Sequence, residues 1–217
     1  MIVLIVGAGN MARGIAARAL AGGNDVRLVD RTRKKAEDLA RELSGAPEGT
    51  VEVFSSVAEA AAGADATVLA VPYPATLDVV RLLPEGGPVV VDIANPVDFS
   101  TFDSLVTEPG TSAAEEVAAA NPDARVVKAF NTAFATVLAT GRLDGDLPLD
   151  VFVASDNEAA KEVVVQLARR GGLNPLDAGP LRRARELEAL QFFHMTLQDR
   201  VGLRWASAIQ IVPGATP

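Results

Sequence analysis

Short unbroken apolar runs alternate along this chain with stretches in which apolar residues recur every three or four positions. Ile2-Val3-Leu4-Ile5-Val6 has strand length, and Ile15, Ala19 and Leu20 then carry a helical period. Asp25 to Val29 is a second strand. Thr32 stands where it can cap a helix through Ala36, Leu39, Ala40 and Leu43, which stops at the Ser44-Gly45-Ala46-Pro47 break. Val51 to Val53 is a short strand, Ser55 or Ser56 starts a small helix to Ala62, and Ala66 to Val71 is a strand stopped by Pro72 and Pro74. A helix from near Thr76 to Leu82 and the strand Pro88 to Ile93 follow. Runs apolar at every position fit burial on both faces of a sheet, and parallel strands need helical crossovers. The pattern therefore predicts an α/β fold with a mostly parallel, doubly wound sheet.

The second half is less regular. Asp98 to Gly110 has no clean period and reads as a loop. Thr111 or Ser112 caps Ala113 to Ala120, with Glu115 placed for a capping box. Arg125 to Ala129 is a strand, and Asn131 to Thr140 a helix closed by Gly141, with Asn131 its preferred cap. The polar, turn-rich stretch Leu143 to Pro148 is the best boundary, dividing residues 1–148 from a small C-terminal segment, 149–217. That segment reads as a strand from Asp150 to Ala154, a helix capped by Asp156, a short strand near Leu173 to Leu176, and a long helix from Leu181 to Val201.

Between the first strand and its helix stand Gly7-Ala8-Gly9-Asn10-Met11-Ala12. Gly7 can turn where a side chain would clash, and Gly9 lets the backbone approach a pyrophosphate. Ala12 keeps helix and strand close, and the N–H groups opening the helix can hold phosphate. Asp30 ends the second strand about 20 residues on, where such folds contact the adenosine ribose. Strand, glycines, helix, strand and acid in this order predict a Rossmann-type dinucleotide site. An acid at Asp30 favours the free 2′-hydroxyl of NAD, while Arg31, Arg33, Lys34 and Lys35 can pair with the 2′-phosphate of NADP or simply form a solvated helix start.

Composition narrows the partners. Of 217 residues 49% are hydrophobic and 22% charged, which describes an ordinary globular chain. A formal charge of −8 opposes nucleic-acid binding and disfavours an anionic membrane surface. With no cysteine and one histidine, thiol chemistry and a Cys or His metal centre are not expected. Met1 leads directly into the first strand, leaving no room for a signal peptide, and no apolar run has spanning length, so a cytoplasmic protein is expected.

In such a sheet the ligand lies over the carboxyl ends of the strands. The candidate loops are Gly7 to Met11, Asp30 to Lys35, Val71 to Ala75 and Ala94 to Val97, with a fifth at Phe130-Asn131-Thr132 after Ala129. Pro72 and Pro74 can wall a flat ring or merely end a strand, and Asn95-Pro96 offers a stiff turn carrying an amide. His194 shares a helix face with Leu187, Leu190, Leu197 and Val201 and reads as a hydrogen-bonded core or interface residue. Asp92, Asp98, Asp103 and Glu115/Glu116 form no recognisable pair and read as solvated or capping.

The motifs Gly7-Ala8-Gly9-Asn10-Met11, Val91-Asp92-Ile93-Ala94-Asn95-Pro96, Val127-Lys128-Ala129-Phe130-Asn131-Thr132, Val153-Ala154-Ser155-Asp156 and Pro175 to Leu181 with Ala184-Arg185-Glu186-Leu187-Glu188 occur in this order. Together they resemble the coenzyme F420-dependent NADP oxidoreductases, whose fold is shared by the cytosolic domains of certain metalloreductases. The resemblance implies hydride exchange between NADP(H) and a deazaflavin, with the rings held about 3–3.5 Å apart and no acid, base or nucleophile needed. The strand-end topology and the resemblance together give the cofactor-binding candidates Gly7, Gly9, Asn10, Met11, Asp30, Arg31, Lys35, Val71, Pro72, Ala94, Asn95, Pro96, Ala129 and Asn131. Arg31 and Lys35 match the family's 2′-phosphate ligands, whereas Asp30 stands at its Ser; many members carry His at the Asn131 position. The C-terminal segment is expected to complete the deazaflavin crevice and form a homodimer interface. Two other readings are a reductase of a flavin or small imine, suggested by Gly9-Asn10-Met11, and a non-catalytic NAD(P)-binding sensor.

Overall fold

A computed structural model describes residues 1–45, 48–84 and 86–214. The chain alternates β1 (Ile2–Val6), α1 (Asn10–Ala21), β2 (Asp25–Val29), α2 (Arg33–Leu43), β3 (Val51–Val53), α3 (Val57–Ala61), β4 (Ala66–Leu69), α4 (Tyr73–Val80) and β5 (Val89–Asp92). It continues through α5 (Ala113–Ala120), β6 (Val126–Lys128), α6 (Ala135–Thr140), β7 (Asp150–Ala154), α7 (Glu158–Arg170), β8 (Asn174–Gly179) and α8 (Ala184–Arg200). The strands form one sheet in the order β3-β2-β1-β4-β5-β6-β7-β8. Every pairing is parallel except β6 with β7. This is the Rossmann-type α/β architecture, and the strand order reverses between β1 and β4, which is where such sheets open a ligand crevice.

Both sheet faces are dry. Val3 and Ile5 point to a core shared with Ile15 and Ala19 of α1, Val137 of α6 and Val164 of α7. Leu4 and Val6 point to a second core with α3, α4, α5 and the start of α8. The segment beyond Pro148 extends the same sheet through β7 and β8, and Val151 and Val153 belong to the first core. Among the described residues no helix is long and apolar enough to cross a membrane.

Several element ends differ from the sequence expectation. β4 stops at Leu69, because Ala70 turns to pack its carbonyl against Gly7. α4 starts at Tyr73, not near Thr76: Pro72 takes the cap position and Pro74 the first turn, where a missing N–H leaves no hydrogen bond unmade. Thr32 stands at the cap of α2 without a capping bond; its N–H donates to Asp30 Oδ1 at 2.7 Å. The cap of α7 is Asn157, whose Oδ1 accepts from Ala160 N at 2.9 Å, while Asp156 accepts from Leu181 N at 3.1 Å. Asn131 caps nothing, since α6 begins at Ala135. The expected break at Ser44-Gly45-Ala46-Pro47 lies in part outside the described residues.

Candidate functional site

The glycine turn meets the β1/β4 switch point. Gly7 has φ +115°, its N–H donates to Val29 O at 2.7 Å, and a methyl group on it would lie 2.1 Å from Ala70 O. Only glycine fits there. Gly9 caps α1 with φ −84°, and a methyl group on it would meet nothing within 4 Å. No side chain caps α1 and no acid stands in its first turn, so its N–H groups and dipole are left for an anion. These residues fit a pyrophosphate.

Asp30 braces this turn. Its Oδ2 accepts from Ala8 N at 2.9 Å and its Oδ1 from Thr32 N, so one carboxylate fixes both the glycine turn and the loop into α2. Beside it Arg33 pairs with Glu37 and Lys34 with Asp38. Arg31 and Lys35 are exposed, and among the described residues neither has an ion-pair partner.

The other predicted residues divide into two groups. Asn10, Met11, Asn95 and Asn131 line one cleft of about 330 Å³, together with Phe134, Gln191, Met195 and Trp205. Val71 lies at the turn against Gly7, and Pro72 is exposed at the start of α4. Ala94, Pro96 and Ala129 are buried behind the cleft: Ala129 N–H donates to Asp92 O and Pro96 O accepts from Val106 N. They shape the wall rather than line it.

Behind this wall is a charge cluster that sequence reasoning missed. Lys128 Nζ, fully buried, donates to Asp92 Oδ2 at 2.7 Å, to Glu188 Oε1 at 2.6 Å and to the Ala94 carbonyl at 2.6 Å. Glu188 Oε2 accepts from Ala113 N at 3.1 Å. Asp92 is thus buried and paired, not solvated, and one lysine ties β5, β6 and α8 together beneath the cleft. Burial raises the pKa of Glu188, offset by Lys128. The available signal was a lysine inside Val126-Val127-Lys128-Ala129, where an unpartnered charge would be costly. Of the other acids, Asp98 closes its loop with Ser100 and Thr101, whose bonds lower its pKa to about 2. Glu115 accepts from Ser112 and Arg185.

The expected apolar stripe on α8 is also corrected. Its buried face carries Leu187, Glu188, Gln191, His194 and Gln198, while Leu190 is 37% and Val201 60% exposed. These polar groups hold the tail that follows. His194 Nε2 meets Ser207 Oγ at 2.8 Å, Gln198 Oε1 accepts from Trp205 N at 3.0 Å, and Thr136 Oγ1 donates to Trp205 O. Desolvation lowers the pKa of His194, whose ring lies against Phe134, tilted by 38° with centroids 4.6 Å apart. The tail that His194 helps to hold places Trp205 at the cleft.

The family model for NADP oxidoreductase, coenzyme F420-dependent, matches residues 2–96. An F420-dependent NADP reductase of Methanocaldococcus jannaschii is 30% identical over 201 residues, 87% of this chain and 88% of that protein. Metalloreductase STEAP3 of Rattus norvegicus is 31% identical over 86% of this chain but only 35% of its own length. A crystal structure described as an F420-dependent NADP-reductase from an Arthrobacter species superposes with a TM-score of 0.75 at 28% identity, covering 92% of this chain and 94% of that one. A reductive aminase from Aspergillus terreus shares the fold with a TM-score of 0.64 at 14% identity, over 93% of this chain and 63% of that one.

Proposed function

Since the chain belongs to the coenzyme F420-dependent NADP oxidoreductase family and is an oxidoreductase, we propose that it moves a hydride between NADP(H) and a deazaflavin of the F420 type. The observation that carries this reading is the cleft beside the glycine turn, with Asn10 and Met11 on one side and Gln191, Met195 and Trp205 on the other. A largely apolar cleft with amide groups on its wall, between the start of α1 and α8, suits stacked rings. NADPH, when bound, would supply the hydride from C4 of its nicotinamide; the deazaflavin would receive it at C5 and take a proton from solvent at its ring nitrogen N1. The protein's part is positioning: the start of α1 holds the pyrophosphate, Arg31 and Lys35 the 2′-phosphate, and the Asn95–Asn131 wall and α8 fix the ring planes.

The assay is direct. Purified protein with NADPH and oxidised coenzyme F420 is expected to bleach the visible band of the deazaflavin. No bleaching with NADPH or NADH overturns the reading, reduction of a flavin or small imine instead supports the first alternative, and tight NADP(H) binding without turnover supports the sensor.

Cofactor choice has its own test. Replacing both Arg31 and Lys35 by Ala is expected to weaken NADPH roughly 10–100-fold, as loss of two charge-assisted contacts implies. NADH affinity should hold within about twofold. Equal losses for both nucleotides, read by calorimetric titration, would remove these cations from any role in 2′-phosphate recognition. We further propose a homodimer, supported by the outward apolar groups Phe193, 60% exposed, and Leu190 on α8.

A further inference from the structure

Asn131 is 2% exposed, lines the cleft, and has a buried amide oxygen with no hydrogen-bond partner among the described residues. Its orientation is fixed by chemistry. Asn131 Nδ2 donates to Asn95 Oδ1 at 3.0 Å and to the Leu187 carbonyl at 3.1 Å, so turning the amide over would set its oxygen against two acceptors. Asn95 Nδ2 in turn donates to the Asn131 carbonyl at 2.9 Å, leaving one of its own hydrogens free. The preceding Phe130 has φ +61°, a strained value for a bulky residue. That turn swings Asn131 back toward Asn95 and α8, and strain of this kind persists only where the surroundings enforce it. A buried acceptor without a partner is unfavourable in the free protein and rewards a ligand that donates to it.

We propose that the Asn95–Asn131 pair reads a planar amide edge. Asn131 Oδ1 accepts an N–H from the ligand, and the spare Asn95 N–H donates to the neighbouring carbonyl. Two ring systems of the proposed reaction carry such an edge: the nicotinamide carboxamide and the pyrimidinedione of a deazaflavin. The inference rests on the function proposed above for this site, but it is tested by binding alone and does not need turnover.

The experiment compares dissociation constants for NADPH against its 3-acetylpyridine analogue, which keeps the carbonyl and lacks the N–H. It also compares oxidised F420 against its N3-methyl derivative. The wild-type protein is expected to disfavour one of these analogues by roughly 10–100-fold, the range for leaving a buried acceptor unpaired. Discrimination against the acetyl compound assigns the pair to nicotinamide, and discrimination against the methyl compound assigns it to the deazaflavin. In Asn131→Leu, which keeps the branched shape and lacks the acceptor, that ratio should fall to within about twofold. Asn131→Ala gives a second reading should the leucine variant fold poorly. Wild-type affinities that ignore both changes overturn the inference, as does discrimination that survives in the folded variants.

Discussion

Lys128→Met is expected to destabilise the protein by about 3–5 kcal/mol, the usual result of stranding buried charges by removing their partner. In a chain of this length that is a fall of roughly 6–20 °C in Tm. The side chains of Lys128 and Asp92 are fully buried and that of Glu188 is 1% exposed, so neither acid has water to turn to. The loss should depend on pH, with a definite sign. Burial raises the Glu188 pKa and Lys128 opposes that rise, so without the lysine the folded-state value climbs further. A carboxyl raised in the folded state holds its proton more tightly there than in the unfolded chain. Its unfavourable contribution is therefore complete above the raised value and vanishes below the ordinary glutamate range. Denaturant unfolding should find the variant's deficit larger at pH 8 than at pH 5. A deficit below about 1 kcal/mol, or one independent of pH, would mean that the cluster does not behave as buried charge. Replacing the three together, as Lys128→Met, Asp92→Asn and Glu188→Leu, should recover most of the loss.

Gly7 and Gly9 should respond in opposite ways. Gly7→Ala forces a side chain to φ +115° with its Cβ 2.1 Å from Ala70 O, for a combined strain and overpacking of about 2–6 kcal/mol. Thermal unfolding should register it whether or not nucleotide is present. Gly9→Val meets open space at an ordinary φ, so stability should hold within about 0.5 kcal/mol. Its side chain would occupy the path by which a pyrophosphate reaches the start of α1, and NADPH affinity is expected to drop about 100-fold, or ~2.8 kcal/mol. If Gly9→Val melted early, the position would be structural; if it bound NADPH normally, the phosphates would lie elsewhere.

Local sequence reached the strands, the helices and the glycine turn because each is written within a few neighbouring residues. Ile2 to Val6 reads as a buried strand from its length and β-branched residues, and Gly7 supplies the freedom that a tight turn after it requires. The element ends were less legible, since Pro72, Asp156 and Thr32 each offer two local solutions and long-range contacts choose between them. Asn131 looked like a helix cap because its neighbours carry a helical period; what withdraws it is the bond to Leu187 O, which a local pattern cannot register.

By itself the sequence determined a doubly wound sheet, a dinucleotide turn after the first strand, and the order of motifs that marks the family. Periodicity and turn chemistry are short-range properties, and they suffice for that much. Only the tertiary structure decided that Lys128, Asp92 and Glu188 meet, that the buried face of α8 is polar, and that the tail brings Trp205 to the cleft beside Asn10 and Asn131. Those groups are separated by up to about two hundred residues in sequence, and the reason for each polar choice is a partner that exists only after the chain has closed on itself.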